Sequence, residues 1–341
     1  MQKLIEKNLY KKTLISWLLL PFSLVYSVIL ILRRKVYSGG YRSRCKIISV
    51  GNIVSGGTGK TPFTIFLAKH LQNKGKKVAV SHRGYKGKFE KENKLISNEN
   101  EVFNFAKEAG DEAYLLASKL SGIPVIAGRN RTKSIRILEE NYLDLEFIIL
   151  DDSFQHLKIQ HDLDFVVFNA IGGIGNGFVL PAGILREPLS ALKLAEYIVF
   201  NGHGKVPDKI KKYNKPILIG SYQIKQIFDV KGKAIKPTGK LALLSGIGLP
   251  KSFEKTVHKA GLTFEKHLRF SDHYDFQNKE ILKKISADLK LGKIDFLLTT
   301  EKDFAKLKFI EHDLPLVVVE VEFVLENVDG SDRNIKFPLL S

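Results

Sequence analysis

The chain has 341 residues, 44% hydrophobic and 26% charged, which suits two modest globular domains and excludes a disordered or fibrous protein. A single cysteine, Cys45, excludes an intrachain disulfide framework and fits a reducing compartment. The net charge of +18 points to nucleic acid, anionic lipid or a phosphorylated substrate, and half of it lies in residues 1–46, where Lys3, Lys7, Lys11, Lys12, Arg33, Arg34, Lys35, Arg42, Arg44 and Lys46 face only Glu6.

Those charges bracket an uncharged run, Thr13–Leu32. As a helix it would span about 30 Å, the thickness of a bilayer core. Trp17 and Tyr26 suit the headgroup level, and Pro21 is expected to kink or break the helix. Residues 1–36 therefore read as a membrane-anchoring segment, either a single span or a helix lying on the surface. A cleaved signal peptide fits less well, because no A-x-A-like site follows and the flank is Arg33-Arg34-Lys35. A helix buried on a soluble core is the remaining alternative. Basic residues on both sides leave the orientation open, and those on the C-terminal side favour a cytoplasmic body.

Past a Gly/Ser/Arg linker at Tyr37–Arg44, the pattern predicts a buried strand at Lys46–Val50, a Gly-rich loop, and a helix carrying Phe63, Phe66, Leu67 and Leu71. Strands follow at Lys77–Ser81, Pro124–Ala127, Glu146–Leu150, Leu163–Asn169 and Glu196–Asn201. Helices are predicted at Asp111–Leu120 and Thr132–Glu140, and residues 83–100 read as an irregular polar arm. Alternating strands and helices of this length indicate a parallel sheet covered on both faces, an α/β core over residues 37–215. Residues 216–238 read as a linker ribbon with a hairpin turn at Lys231-Gly232-Lys233. A second, smaller α/β domain is expected over 239–315. A C-terminal strand and tail over 316–341 are expected to return to the core.

The loop reads Ser49-Val50-Gly51-Asn52-Ile53-Val54-Ser55-Gly56-Gly57-Thr58-Gly59-Lys60-Thr61-Pro62. Glycines let successive N–H groups turn toward phosphate oxygens, and the following helix adds its positive end. Ser55, Gly56, Gly57, Thr58 and Gly59 form the candidate cradle. Lys60 is placed to neutralise the outer phosphates, and the Thr61 hydroxyl to ligate Mg²⁺. The strict motif wants glycine where Val54 stands. Ile148-Ile149-Leu150-Asp151-Asp152 has the form of a Walker B strand, whose acids hold Mg²⁺ or its water. Acids after a strand also cap helices, so this element gains its meaning from the loop. Asp111 and Glu112 open a helix, where acids suit the helix dipole. Asp272-His273 fits either a turn or a proton-accepting pair.

With these residues laid out, the chain resembles the tetraacyldisaccharide 4′-kinase (lipid A 4′-kinase) family. The resemblance runs through the loop, Arg83-Gly84-Tyr85, Gly110-Asp111-Glu112 and Asp151-Asp152-Ser153-Phe154-Gln155-His156 with Asp162-Leu163-Asp164. It continues through Leu180-Pro181-Ala182-Gly183, Leu185-Arg186-Glu187-Pro188, Gly246-Ile247-Gly248, Asp272-His273 and Thr300-Glu301-Lys302-Asp303. One departure is Ser153, where the family commonly has glycine. The resemblance implies transfer of the ATP γ-phosphate to the 4′-hydroxyl of a membrane-borne acylated disaccharide 1-phosphate, at an inner membrane with the site facing the cytoplasm. It implies Asp111 and His273 as the catalytic pair and Asp151, Asp152 and Glu112 near Mg²⁺. Arg131 and Arg186 are implied as phosphate or substrate contacts. Two other classes compete. A nucleic-acid ATPase is disfavoured, because the charge flanks an apolar anchor and no familiar nucleic-acid motif is present. A membrane-anchored nucleotide switch has no evident use for Asp272-His273.

Overall fold

The computed structural model describes residues 8–37, 39–103, 105–272, 274–308 and 310–326. The chain divides into two compact units, Met1–Ser221 with Leu325–Ser341, and Tyr222–Val324.

In the first unit the sheet runs β8-β7-β6-β1-β5-β2-β4-β3. Its strands are β1 (Lys46–Gly51), β2 (Val78–His82), β3 (Lys94–Ser97), β4 (Val125–Ala127), β5 (Phe147–Asp151), β6 (Leu163–Asn169), β7 (Tyr197–Asn201) and the first residues of β8 (Ile217–Asp229), which pair with β7. All neighbours are parallel except β3 with β4. Every residue of β2, β5 and β7 is buried, as expected of parallel strands covered on both faces. The helix Lys60–Asn73 packs over β1, β2 and β5 through a face that buries Phe63, Thr64, Leu67, Ala68 and Leu71. On the opposite face the helix Arg131–Asn141 buries Ile135 and Leu138 against Ile47, Ala79, Ile126 and Ile148. Each fully buried side chain of this size contributes about 1.5–3 kcal/mol.

The expected α/β class is therefore observed. The chain leaves β1 toward β2 on one side of the sheet, and after β5 it continues with β6 on β1's other flank. That makes the C-terminal end of β1 a topological switch point, where open α/β sheets form their ligand crevice. Two readings need correction. Residues 83–100 are not an irregular arm, because they contain the helix Phe89–Glu92 and the edge strand β3. Four residues with two apolar side chains are too few to reveal a period. The alternating stretch from Ile217 is a sheet strand, β8, parallel to β7. The turn at Lys231-Gly232-Lys233 does form, with the Asp229 N–H donating to the Lys233 carbonyl at 2.9 Å.

The second unit contains β9 (Leu241–Ser245), β10 (Lys266–Arg269), β11 (Phe296–Thr300) and β12 (Leu316–Glu326), ordered β10-β9-β11-β12 and parallel. The helices Pro250–Lys259 and Lys279–Leu291 cover its faces, burying Phe253 and Val257, and Leu282, Ile285 and Leu289.

The uncharged N-terminal run does not form one helix. Two helices, Leu14–Leu18 and Leu20–Val36, meet at Leu19, and Pro21 lies in the first turn of the second. The break follows from the missing N–H and the ring of proline, which starts a helix well and interrupts one badly. No helix of the described residues is long and apolar enough to cross a membrane.

Candidate functional site

The switch-point loop is shaped by close packing. A Cβ on Gly51 would stand 2.4 Å from Phe154 Cβ, so the strand can pass Phe154 there only as glycine. Buried Asn52 closes the loop by donating from Nδ2 to Thr58 Oγ1 at 3.1 Å. Val54, which stands in place of the motif's glycine, pairs with Leu185 and lies in the core with it. The Ser55 N–H donates to the Ile184 carbonyl (2.8 Å), and the Arg186 N–H to the Ile53 carbonyl (2.7 Å). The first part of the loop is thus paired like a short ribbon, which a β-branched residue suits. Flexibility is needed only later, at Gly56 and at Gly59, whose φ is +92° immediately before the helix. Ser55, Gly56, Gly57, Thr58, Gly59, Lys60 and Thr61 therefore lead into a helix start whose N–H groups lack intrahelical acceptors, an anion-binding arrangement.

The neighbouring strand β5 brings the acids. Val50 and Asp151 are register partners. Asp151, 1% exposed, accepts from Thr61 Oγ1 at 2.8 Å and from Thr64 Oγ1 at 3.1 Å. Burial pushes its pKa up, with His82 and Lys60 opposing. Asp152 turns out of the strand with φ +54° and faces Lys60 Nζ at 3.4 Å and Arg186 Nη1 at 3.7 Å. Burial raises its pKa, but Lys60, Arg186 and Arg131 outweigh it and hold the carboxyl below its ordinary value. The Ser153 hydroxyl donates within this turn, lying 2.9 Å from both Ser49 Oγ and the Leu150 carbonyl.

The two arginines differ. Arg186 is partly exposed and lies 3.1 Å from Asn52 Oδ1 and 3.4 Å from Gln155 Oε1. Arg131 is 2% exposed, and its guanidinium donates to Ser81 Oγ at 3.1 Å and to the Asp151 carbonyl. Burial pulls its pKa down to about 10, so it stays charged and braces the end of β5 from beneath. His156 is pulled down to about 4 by burial and by Arg131, so it is neutral near pH 7.

Asp111 and Glu112 are the first residues of the helix Asp111–Lys119, both partly exposed. Glu112 Oε2 lies 3.8 Å from His82 Nε2, and Asp151 Oδ2 lies 3.8 Å from the same nitrogen. His82 accepts at Nδ1 from the Gly84 N–H (2.9 Å), which places the proton of the neutral ring on Nε2, between the two acids. His82 did not stand out in sequence, since a lone histidine at a strand end carries no spacing signal. Asn52 and Gln155 were visible only as members of longer motifs. His273 lies outside the described residues. Its neighbour Asp272 pairs with Lys302 at 3.3 Å.

The second-unit motifs have local structural uses. Thr300 caps the helix Glu301–Leu307, and its hydroxyl donates to Asp303 Oδ2 at 2.8 Å. The Gly246 N–H donates to the same oxygen at 3.0 Å. Ser245, His267 and Glu254 form a hydrogen-bonded row (2.8 and 2.6 Å), but Ser245 is fully buried, so the row offers no accessible nucleophile.

A family model described as tetraacyldisaccharide-1-P 4′-kinase matches residues 15–336. The chain belongs to the tetraacyldisaccharide-1-P 4′-kinase family. A tetraacyldisaccharide 4′-kinase of Halothermothrix orenii is 33% identical over 337 residues, covering 89% of this chain and 87% of the relative. One from Actinobacillus pleuropneumoniae is 35% identical over 329 residues, covering 94% and 95%. A crystal structure of LpxK from Aquifex aeolicus in complex with ATP matches with a TM-score of 0.70 and 28% identity, over 92% of this chain and 96% of that one. Family membership and the site meet at the same elements: the loop, helix start and acids described above are what a phosphoryl-transfer enzyme needs.

Proposed function

We propose that this chain is an ATP-dependent lipid kinase that transfers the γ-phosphate to the 4′-hydroxyl of tetraacyldisaccharide 1-phosphate, forming the lipid A precursor lipid IVA. The observation that carries the reading is the convergence of Lys60, Arg186 and Asp152 beside the Thr61–Asp151 pair at the switch point, in a chain of this family. In this arrangement Lys60 and Arg186 are held by Asp152 near the charge that develops on the transferred phosphoryl group. Loop N–H groups from Gly56 to Lys60 hold the phosphates, while the Ser55 N–H is paired with Ile184.

The donors present fit Mg²⁺. Thr61 Oγ1 and the Asp151 and Asp152 carboxylates are hard oxygen ligands, and Asp152 Oδ1 is a buried oxygen held only at longer range, by Lys60 Nζ at 3.4 Å and Arg186 Nη1 at 3.7 Å. Among the described residues no cluster of three His, Cys, Asp or Glu forms a ready-made cage, which suits an ion that keeps water and phosphate oxygens. Thr61, Asp151 and Asp152 would hold Mg²⁺, which would supply charge neutralisation for the phosphates. Thr61 and Thr64 orient Asp151, and Glu112, across His82 from it, belongs to the same proposed metal region. Asp111 is the proposed acceptor for the proton of the attacking 4′-hydroxyl, and His273 is the other catalytic residue that the family resemblance implies.

For location, we propose that the N-terminal segment lies on the cytoplasmic face of the inner membrane. Leu14, Trp17, Leu18, Phe22, Leu24, Val25, Val28, Ile29, Leu32 and Val36 are each more than half exposed, an apolar area far beyond isolated surface residues. Flanking lysines and arginines add attraction to anionic headgroups of about 1 kcal/mol each near the surface. The partners are thus the acylated disaccharide and anionic lipid, not nucleic acid.

The test is transfer from Mg-ATP to the disaccharide lipid in detergent micelles. Lys60→Ala is expected to lower kcat by on the order of 10²–10³-fold. Equal rates for the folded variant and the wild type would refute the kinase assignment.

A further inference from the structure

The segment Phe178–Glu187 lies between the N-terminal helix and the nucleotide loop and is bonded to both. On the helix side, Ser23 Oγ donates to the Val179 carbonyl (2.8 Å) and accepts from the Ala182 N–H (3.0 Å). Trp17 meets Phe178 edge-on at 5.3 Å. Arg34 grips Glu187 with two parallel hydrogen bonds of 2.8 and 2.9 Å. The same guanidinium donates to the Phe154 carbonyl (3.2 Å) and lies 4.8 Å from the centre of that ring. On the loop side, the Ile184 carbonyl and the Arg186 N–H pair with Ser55 and Ile53, and the Arg186 side chain reaches Asn52 and Asp152.

The Glu187 side chain is 3% exposed and that of Arg34 17%. A carboxylate so buried needs its counter-charge, and a two-point arginine fork fixes geometry as well as charge. The positions of Arg34 and Glu187 are therefore not independent. The helix Leu20–Val36 buries only Ser23 and Leu30. In water its seat on the unit depends on Leu30 and these few polar latches, whereas at a lipid surface its exposed apolar face gains a partner of its own.

We infer that Arg34 and Glu187 are positioning residues that couple seating of the N-terminal helix on anionic lipid to nucleotide affinity at the Lys60 loop. The inference rests on the surface-docking reading above. Seating aligns Glu187, Glu187 fixes the adjoining Arg186, and Arg186 sets Asn52 and Asp152 against the loop. Linkage makes the effect reciprocal, so nucleotide also tightens lipid binding by the same factor.

The experiment uses the full chain, phosphatidylglycerol-containing vesicles and Mg²⁺ with a non-hydrolysable ATP analogue. Vesicle sedimentation is measured apart from nucleotide affinity. The wild type is expected to bind nucleotide roughly 5–100-fold tighter with vesicles than without. Arg34→Lys, which keeps the charge but loses the fork and the ring contact, is expected to sediment with vesicles as the wild type does and to lose that gain; Arg34→Gln, which also removes a basic group, is expected to sediment somewhat more weakly and to lose it too. Glu187→Gln is expected to lose it too, and combining it with Arg34→Gln adds nothing further. If the wild type sediments but its nucleotide affinity is unchanged by vesicles, the coupling is refuted and surface docking survives. Retention of the full gain by Arg34→Lys and Glu187→Gln refutes the role of the pair, as does loss of sedimentation by both Arg34 variants. Failure of the wild type to sediment refutes the docking reading itself.

Discussion

At the scale of single residues, the site depends on how a few side chains hold two acids apart in role. Asp151 is consumed by hydroxyls and lies deep, whereas Asp152 faces Lys60 and Arg186. Ser153 ties the turn between them to β1 through Ser49. Ser153→Ala removes that tie and leaves buried groups with fewer partners, at a cost of about 1–2 kcal/mol. The expected result is a lower denaturant midpoint with an unchanged slope. An unaltered midpoint would mean that the Ser153 hydroxyl does not hold the turn. Lys60, Thr61 and Asp151 were legible in sequence because a Gly-rich loop and an acid-ended strand carry a fixed spacing. His82 beside Asp151, and Asn52 and Gln155 around Arg186, come from separate strands and turns, and only the fold brings them together.

At the scale of elements, the parallel strands were legible because burial on both faces writes continuous apolar runs. The edge strand β3 was not, because Lys94–Ser97 is short and half exposed. The linker before β1 has its own anchor. Glu139, on the helix Arg131–Asn141, accepts from Tyr41 Oη (2.7 Å), Ser43 Oγ (2.6 Å) and the Arg44 N–H (2.8 Å). Burial raises its pKa, but these donors together hold it below its ordinary value of 4.5. A carboxyl with a lowered folded pKa contributes stability that is present above its ordinary value and lost as pH falls through the folded one. Glu139→Gln is therefore expected to be less stable than the wild type near pH 7, with the gap closing as pH falls below the ordinary carboxyl value of 4.5. Urea melts of both proteins at the two pH values check this. A gap that is constant with pH would contradict the assignment to ionised Glu139.

At the scale of the whole molecule, the charge and the apolar helix act together. The basic flanks supply attraction that salt screens, and the exposed apolar face supplies attraction that salt does not. Sedimentation with anionic vesicles is expected to weaken with salt without vanishing. Phe22→Glu combined with Ile29→Glu is expected to abolish it while leaving the melting temperature unchanged, since both side chains are exposed. A large fall in melting temperature would show that this face is packed on the protein rather than presented to lipid. The chain's length, charge layout and motif order were legible from the start. The break at Leu19 was foreseeable from Pro21, but the seating of the helix through Ser23 and Arg34 was not, because its partners lie more than a hundred residues away. The central claim is the position and source of the transferred phosphate. Phosphorus NMR of the product made from Mg-ATP and tetraacyldisaccharide 1-phosphate is predicted to show a new phosphomonoester with the native lipid and none with its 4′-deoxy analogue. A new phosphomonoester on the 4′-deoxy lipid, or none on the native one, would contradict the account.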